Sequence, residues 1–258
     1  MRFRSLGSGS AGNATLVEAG PARRPTRLLV DCGFSLRELE ARLACSGLVP
    51  DDLDAIFVTH EHGDHVGCAI TFARRHRKPL WLSRGTWEAI GSPEVDGFEC
   101  FARDGQRLAI GAIELTPYTV PHDAREPLQR RCSDGARHLG ILTDAGSITP
   151  HMTAHLQRCD ALMIECNHDA QMLSHSRYPA SLKARIGGAQ GHLSNASAAD
   201  LAARCVHGGL RHVVAAHLSE ENNRPELARA ALAEGFGIGT SEVIVAEAAT
   251  GFDWLSLK

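Results

Sequence analysis

Residues 59–65 read Thr-His-Glu-His-Gly-Asp-His, and they constrain the chain more than any other stretch. A strand-like apolar run comes directly before them and a helix-like pattern comes directly after. In an extended loop, side chains two residues apart project to the same side, so His60, His62 and Asp64 can share a face. Entry into a helix turns His65 to a neighbouring direction. The stretch therefore predicts a cluster of converging polar side chains.

Two adjacent metal sites suit this geometry, one built from His60 and His62 and the other from Asp64 and His65. Imidazole nitrogen and carboxylate oxygen without thiolate are the ligands of hydrolytic zinc, manganese or iron sites, whereas structural zinc sites are rich in cysteine. The alternative, a surface histidine cluster, must explain five potential ligands directly after a buried strand. The metal interpretation is the stronger one.

Length and composition predict one globular domain over residues 1–258, because 43% of the residues are hydrophobic and only 22% are charged. No apolar run approaches the roughly 20 residues that cross a bilayer, and the first residues lack a signal-peptide pattern, so we expect a cytoplasmic protein without a membrane segment. The eight cysteines form no CxxC pair, which argues against a disulfide framework.

Strand-like runs alternate with helical patterns, which predicts a layered α/β fold. Polar residues stand at or just beyond the ends of five of these runs, and the carboxyl ends of parallel strands meet at one edge of a sheet. These residues should therefore converge; they are His60, His122, Asp144, Glu165 and His217.

The HxHxDH pattern of residues 60–65 resembles the metallo-β-lactamase superfamily, and further motifs follow in the order of that family: LLVDCG with Asp31, VPHDA, LTDAG and AAHLS. The resemblance implies a four-layer αββα sandwich with the metals at one edge. It also implies that Asp31 orients ligands from behind. The implied ligands are His60, His62 and His122 for one metal, Asp64, His65 and His217 for the other, and Asp144 as a bridge.

Two divalent ions about 3.5 to 4 Å apart can lower the pKa of a shared water and stabilise charge that develops on a phosphoryl or carbonyl oxygen. The expected nucleophile is a metal-bound hydroxide, so no serine or cysteine nucleophile is needed. Asp64 therefore counts among the catalytic residues as well as the ligands. Zinc, manganese and iron all accept this ligand set.

Three longer stretches are similar to the YycJ/WalJ-like group of small metallo-β-lactamase-fold hydrolases: SLGSGSAGN near the start, ECNHD with YPASLKARI and GHLSN, and HLSEENN. This resemblance covers residues 5 to 223. It implies 5′-to-3′ exonuclease activity or a related phosphodiesterase activity.

Glu165 and His192 resemble, in order and context, the Glu and His pair with which tRNase Z enzymes protonate a leaving oxygen. Phosphodiester cleavage benefits from such an acid because an alkoxide is a poor leaving group. The alternative is that Glu165 pairs with an arginine and His192 merely precedes a helix. His168 is a candidate for lining the same pocket.

The stretch Gly7–Gly12 satisfies the GxGxxG pattern of dinucleotide-binding folds, but a strand-like run follows it and no helix opens there. We interpret it as a turn between the first two strands. Either Ser10 and Asn13 touch the substrate, or the turn is a plain hairpin.

The net charge of −3 supplies no overall attraction for nucleic acid, so binding requires local basic patches. A single strand would be held by Lys183 and Arg185, since aromatic residues for base stacking are few. The alternative for every patch is a solvated surface. The candidates are Arg74, Arg75, Arg77 and Lys78, then Arg130 and Arg131, then Lys183 and Arg185.

The leading functional hypothesis is a dinuclear metal-dependent hydrolase that acts as a phosphodiesterase or exonuclease on nucleic acid. The first alternative is a phosphodiesterase for small cyclic substrates, which the acidic net charge and compact size favour. Thioester or lactam hydrolysis is a weaker alternative, and a non-catalytic metal-binding protein is a further one.

Overall fold

The computed structural model describes residues 1–258 and contains two seven-stranded sheets. The strands are β1 (Arg2–Gly7), β2 (Ala14–Ala19), β3 (Thr26–Val30), β4 (Ala55–Phe57), β5 (Leu80–Leu82), β6 (Glu99–Phe101), β7 (Leu108–Ile110), β8 (Ile113–Thr119), β9 (Leu128–Ser133), β10 (His138–Leu142), β11 (Ala161–Glu165), β12 (His212–Ala216), β13 (Val243–Val245) and β14 (Phe252–Ser256). The helices are α1 (Leu36–Cys45), α2 (Gly63–Val66), α3 (Ala69–His76), α4 (Arg84–Ala89), α5 (Pro150–Leu156), α6 (Ala170–His175), α7 (Ala180–Ile186), α8 (Asn195–Cys205) and α9 (Pro225–Phe236).

Each sheet mixes an antiparallel part with a parallel part. The first has the strand order β14-β1-β2-β3-β4-β5-β6, and the second has the order β13-β12-β11-β10-β9-β8-β7. Strands β3 to β6 are parallel to one another, and so are β10 to β13. The carboxyl ends within each parallel set therefore share one edge.

Four layers result, because each sheet packs one face against the other sheet and its second face against helices. Phe57 and Met163 lie in the core between the sheets. Helices α1, α3 and α4 cover the outer face of the first sheet, and α5, α8 and α9 cover that of the second. The predicted αββα sandwich is confirmed, and since the two sheets share a core we propose that residues 1–258 form one domain.

Burial on both faces explains the continuous apolar runs of the central strands. In β3, Leu28 contacts the core between the sheets while Leu29 contacts the helical layer, and both are fully buried. Burying one leucine stabilises the fold by about 1.5–3 kcal/mol. Such strands cannot show the alternating pattern of a strand with one wet face.

Local capping fixes where the helices begin. The Ser35 hydroxyl accepts a hydrogen bond from the Glu38 N–H at the start of α1, and the Ser194 hydroxyl accepts one from the Ser197 N–H at the start of α8. Pro225 occupies the first turn of α9. No helix is long and apolar enough to cross a membrane.

The helix-like pattern that follows residues 59–65 does not form one continuous helix, because α2 ends at Val66 and α3 begins at Ala69. Gly67 lies between them with φ +32°, and a Cβ there would stand 2.2 Å from the Cys32 carbonyl oxygen. The chain breaks the helix so that this turn can pack against the loop after β3.

Gly33 allows the loop after β3 to approach the loop that carries the polar cluster. A Cβ at Gly33 would stand 1.7 Å from the Asp64 carbonyl oxygen and 2.7 Å from the Asn13 nitrogen. We expect Gly33→Ala to lower the free energy of unfolding by at least about 1–3 kcal/mol, because backbone must shift to make room. Denaturant unfolding in the presence of chelator measures this change. Gly208→Ala is the matched control, since nothing lies within 4 Å of a Cβ there; equal losses in the two variants would refute the close approach.

Candidate metal centre

The predicted polar residues meet at the carboxyl ends of strands from both sheets. His60 lies three residues beyond β4, His122 three beyond β8, and Asp144 two beyond β10. Glu165 is the last residue of β11, and His217 directly follows β12. All five are buried. His60 comes from the first sheet, and the other four come from the second.

A first cluster consists of three imidazoles, those of His60, His62 and His122, whose ring nitrogens converge. His60 Nε2 is 3.0 Å from His62 Nδ1, and His122 Nε2 is 3.2 Å from the same atom. Ligand atoms on a tetrahedral zinc ion with bonds near 2.1 Å are separated by about 3.4 Å. The spacing fits one ion.

A second cluster joins one carboxylate to two imidazoles. Asp64 Oδ2 lies 3.4 Å from His65 Nε2 and 3.3 Å from His217 Nε2. These three side chains, like the first three, bring one ligand atom each within 4.8 Å of the others. The second cluster has the spacing of a second ion.

Asp144 lies between the clusters and reaches towards both. Its Oδ2 atom is 2.9 Å from His65 Nε2, and its Oδ1 atom is 4.0 Å from His122 Nε2. The Oδ2 atom is buried and has no hydrogen-bond partner. An orphaned buried carboxylate oxygen beside an imidazole nitrogen is costly unless a cation completes it. The residues therefore fit a divalent metal centre, which the fold and these clusters support.

The far nitrogens of the imidazoles show which atoms face the metals. His122 Nδ1 lies 2.9 Å from the Gly191 carbonyl oxygen, which can only accept, so that nitrogen carries the hydrogen. His65 Nδ1 donates to Asp31 at 3.0 Å, and His217 Nδ1 donates to Glu165 at 3.1 Å. In each ring the Nε2 lone pair is left for a metal.

Asp31 is connected by hydrogen bonds to residues of both clusters. Its Oδ1 atom accepts from the Thr59 hydroxyl at 2.9 Å and from the Thr59 N–H at 2.9 Å, while Oδ2 accepts from His65. The Thr59 hydroxyl in turn lies 3.0 Å from His60 Nδ1. One buried carboxylate thus reaches an imidazole in each cluster.

The surrounding residues shift the imidazole pKa in opposite directions for His60 in the first cluster and His217 in the second. Burial lowers the pKa of His60, and the neighbouring imidazoles lower it further. Burial also opposes the charged form of His217, but Asp144, Asp64 and Glu165 outweigh it and raise the pKa of His217 to about 10. A metal entering the second cluster must therefore displace a proton from His217.

Glu165 and His192 form a pair beside the metal ligands. Glu165 Oε1 lies 2.8 Å from His192 Nδ1, and Oε2 accepts from the Ala145 and Leu193 N–H groups at 2.9 and 3.0 Å. Burial opposes the ionisation of Glu165, yet His192 and His217 bring its pKa down to about 2. Burial likewise disfavours charged His192, but Glu165 raises its pKa. The alternative pairing of Glu165 with an arginine is not observed.

The predicted substrate contacts differ in how near they lie to the centre. Asn13 Nδ2 is 3.3 Å from Asp64 Oδ2 and 3.2 Å from His65 Nε2, so it supports ligands, whereas Ser10 is exposed in the turn. His168 is buried with an unpartnered Nδ1. Lys183 donates to the Ser174 carbonyl oxygen, and Arg185 Nε donates to Asp123.

Sequence reasoning missed three residues that shape the centre. Asp123 Oδ1 lies 3.5 Å from His122 Nε2 while its other oxygen holds Arg185. The Ser8 hydroxyl accepts from the His217 N–H at 3.0 Å. Glu61 Oε1 accepts from the Arg125 N–H at 2.7 Å. This bond ties the loop after His122 to the loop of residues 59–65, which we call the ligand loop. The position of Asp123 beside His122 in VPHDA was the one signal in the sequence.

The prediction that Arg130 belongs to a basic surface patch is wrong. Arg130 is 1% exposed and its guanidinium lies 3.9 Å from Asp31 beneath the centre. Its neighbour Arg131 points to the opposite face of β9 and is half-buried.

The chain is similar in sequence to a known family and to curated proteins. The family model described as "Beta-lactamase superfamily domain" matches residues 26–218. The exodeoxyribonuclease YycJ of Bacillus anthracis is 35% identical over 248 residues, which cover 93% of this chain and 92% of that protein. The exodeoxyribonuclease WalJ of Streptococcus pneumoniae is 33% identical over 232 residues, covering 88% of this chain and 85% of that protein.

Among solved structures, the metallo-β-lactamase fold protein YhfI from Bacillus subtilis is similar with a TM-score of 0.74. The match covers 98% of both chains at 21% sequence identity. At that identity the likeness shows the fold.

The role of Asp31 can be tested by metal affinity. We expect Asp31→Asn to weaken binding of Zn²⁺ by about 10- to 100-fold, because an amide cannot accept from all three of its present donors. Competition with a chromophoric chelator measures the affinity. Asp253→Asn, at an exposed carboxylate paired with Arg4, is the control. Equal affinities in the two variants would show that Asp31 does not orient the ligands.

Proposed function

Since this chain belongs to the metallo-β-lactamase superfamily, in its YycJ/WalJ-like group, we propose that it is an exodeoxyribonuclease that removes nucleotides from strand ends. The family and the clustered ligands make it a metal-dependent hydrolase. The names of the relatives support DNA as the substrate. Attack from 5′ to 3′ is the polarity that the group resemblance implies.

The observation that carries a phosphodiesterase is the Glu165–His192 pair at the edge of the metal centre. Hydrolysis of a phosphodiester between nucleotides expels an alkoxide, which needs a proton. His192 is bound to Glu165 through Nδ1 and has a raised pKa, while its side chain is 21% exposed. Its Nε2–H is the group that donates to the leaving oxygen.

His60, His62 and His122 would hold one divalent ion, and Asp64, His65 and His217 the other, with Asp144 between them. When bound, such ions lower the pKa of a coordinated water and stabilise negative charge on phosphoryl oxygens. Zinc and manganese both suit the nitrogen and carboxylate ligands, and iron is a further option.

Arg185 holds the substrate phosphate at the mouth of the site. Asp123 binds Arg185 Nε at 2.5 Å and also lies beside His122, so the guanidinium stands next to the first cluster. Its remaining N–H groups match a phosphate bidentately. Lys183 lies on the same short helix and ties it to the end of α6.

A phosphodiesterase for small cyclic substrates is the second candidate, favoured by the net charge of −3. Thioester hydrolysis gains little from such an acid, because a thiolate leaves without a proton. The cytoplasmic location remains a prediction.

The proposal predicts mononucleotide release from labelled oligonucleotides. A time course on 5′- and 3′-labelled single- and double-stranded DNA with added Mn²⁺ or Zn²⁺ should show sequential loss from the 5′ end. Asp144→Ala should abolish it, because the carboxylate between the two clusters is lost. Intact DNA and RNA beside rapid hydrolysis of cyclic phosphodiesters would support the second candidate instead.

The acid role of His192 predicts a split between substrates. His192→Ala should lower kcat on DNA by about 10²- to 10⁴-fold. Hydrolysis of bis-p-nitrophenyl phosphate should change far less, because p-nitrophenolate leaves without a proton. Metal content should equal that of the wild type, and His175→Ala on the exposed end of α6 is the control. Equal losses on both substrates would refute the acid assignment.

A further inference from the structure

Four arginines that form no ion pair lie on segments leading from the start of α4, through the β6–β7 connection, to the outer face of β9: Arg84, Arg103, Arg107 and Arg131. We infer that this basic track binds the phosphate backbone of the single strand whose end lies in the metal centre. The inference rests on the proposed function and names where the rest of the substrate runs.

Direct contacts connect the ligand loop to the start of the track. Glu61 accepts from the Arg125 N–H, and the next residue, Glu126, accepts from the Gly85 N–H at 2.6 Å. The Ser83 hydroxyl donates to the Glu126 carbonyl oxygen at 2.8 Å. The loop after His122 therefore reaches from the metals to the first turn of α4, where Arg84 lies.

Arg84 is held in place by stacking instead of by a carboxylate. Its guanidinium carbon lies 4.2 Å from the centre of the Phe101 ring, at the end of the neighbouring strand β6. Stacking on a ring leaves the N–H groups in the guanidinium plane free for phosphate oxygens. Arg103 follows Phe101 by two residues and is exposed.

The acidic groups beside this part of the track are already engaged. Glu61 and Glu126 accept from backbone N–H groups, and Glu88 pairs with Arg125. Asp104 accepts from the Thr119 N–H and pairs with His151. The positive charge of Arg84 and Arg103 is therefore left for an external anion.

The track continues across the outer face of the second sheet. Leu108 pairs with Leu115 and Thr116 pairs with Arg131, so Arg107, Thr116 and Arg131 lie in one row. Arg107 and Arg131 line a cavity of about 450 Å³ together with Ser133 and His138. His138 Nδ1 is buried without a hydrogen-bond partner, and Glu114 is the one acidic residue of the lining.

Charge complementarity favours a nucleic acid strand as the occupant. Arginines spread over successive segments of the surface suit a flexible polyanion, whereas a small cyclic phosphodiester in the metal centre is too short to contact all of them. A protein with a net charge of −3 needs such a local surface to attract DNA.

Two double variants test the track. Arg84→Gln with Arg103→Gln removes its near half, and Arg107→Gln with Arg131→Gln removes its far half. Arg23→Gln with Arg24→Gln is the matched control, since both are exposed in the β2–β3 turn, at the end of β3 opposite to Asp31, and form no ion pair. The substrates are bis-p-nitrophenyl phosphate, a tetranucleotide and a strand of about 20 nucleotides.

Each track variant should raise KM for the long strand on the order of tenfold. Each should also flatten the slope of log(kcat/KM) against log salt by about 1.4, because each of the two lost phosphate contacts contributes about 0.7. The tetranucleotide should respond to the near half alone, and bis-p-nitrophenyl phosphate to neither. A KM and a salt slope equal to those of the control would overturn the track.

Failure of the proposed function gives a different result. In that case the wild type leaves every oligonucleotide intact, and the track is tested by the affinity of the protein for single-stranded DNA. The affinity of Asp144→Ala protein for a labelled oligothymidine is measured by fluorescence anisotropy. Removal of either half of the track should lower this affinity on the order of tenfold. Unchanged binding would overturn the track independently of catalysis.

Discussion

The hydrogen bonds of the buried Asp31 carboxylate connect the two clusters of candidate metal ligands. It accepts from the backbone and hydroxyl of Thr59 and from His65, and it is 1% exposed. A buried carboxylate that lost these donors would carry a large desolvation penalty, so its partners are fixed with it. Because Thr59 precedes His60, the same carboxylate sets the angle at which the ligand loop leaves β4. Buried Arg130 adds a positive charge at 3.9 Å that no other carboxylate neutralises.

Strained backbone at three strand ends turns the side chains inwards. Asp31, Asp144 and His217 have φ values of +61°, +59° and +54°, a region that residues other than glycine rarely adopt. Each such residue costs of order 1–3 kcal/mol and persists only where its surroundings determine it. Here the last residues of β3, β10 and β12 are buried, and the side chains of Asp144 and His217 contact each other. The stability of the sandwich thus supports conformations that bring ligands from both sheets together.

The sequence predicted the parts of the fold in which local pattern and burial agree. Residues Ala14–Ala19 match β2 as expected, and the polar residues at strand ends converge. Strand β9 escaped prediction because its sequence, LQRRCS, hides a buried arginine and a buried glutamine among its core residues. The contact between Ser8 and His217 spans 209 positions, so no local pattern could reveal it. Of the arginines in the basic track, Arg84, Arg103 and Arg107 stand singly in the sequence and form no charge run.

The division between chemistry and recognition follows from burial. Glu165 Oε1 lies 3.1 Å from His217 Nδ1 and 2.8 Å from His192 Nδ1, so one atom on a central strand contacts both imidazoles. A substitution of Glu165 would therefore disturb both imidazoles, whereas His192 can be replaced without removal of a residue of either cluster. Arg84, Arg103, Arg107 and Arg185 are exposed on loops or short helices, where a substitution leaves the sheets intact. A chain with this core can therefore change which strand it holds while it keeps the same cleavage chemistry.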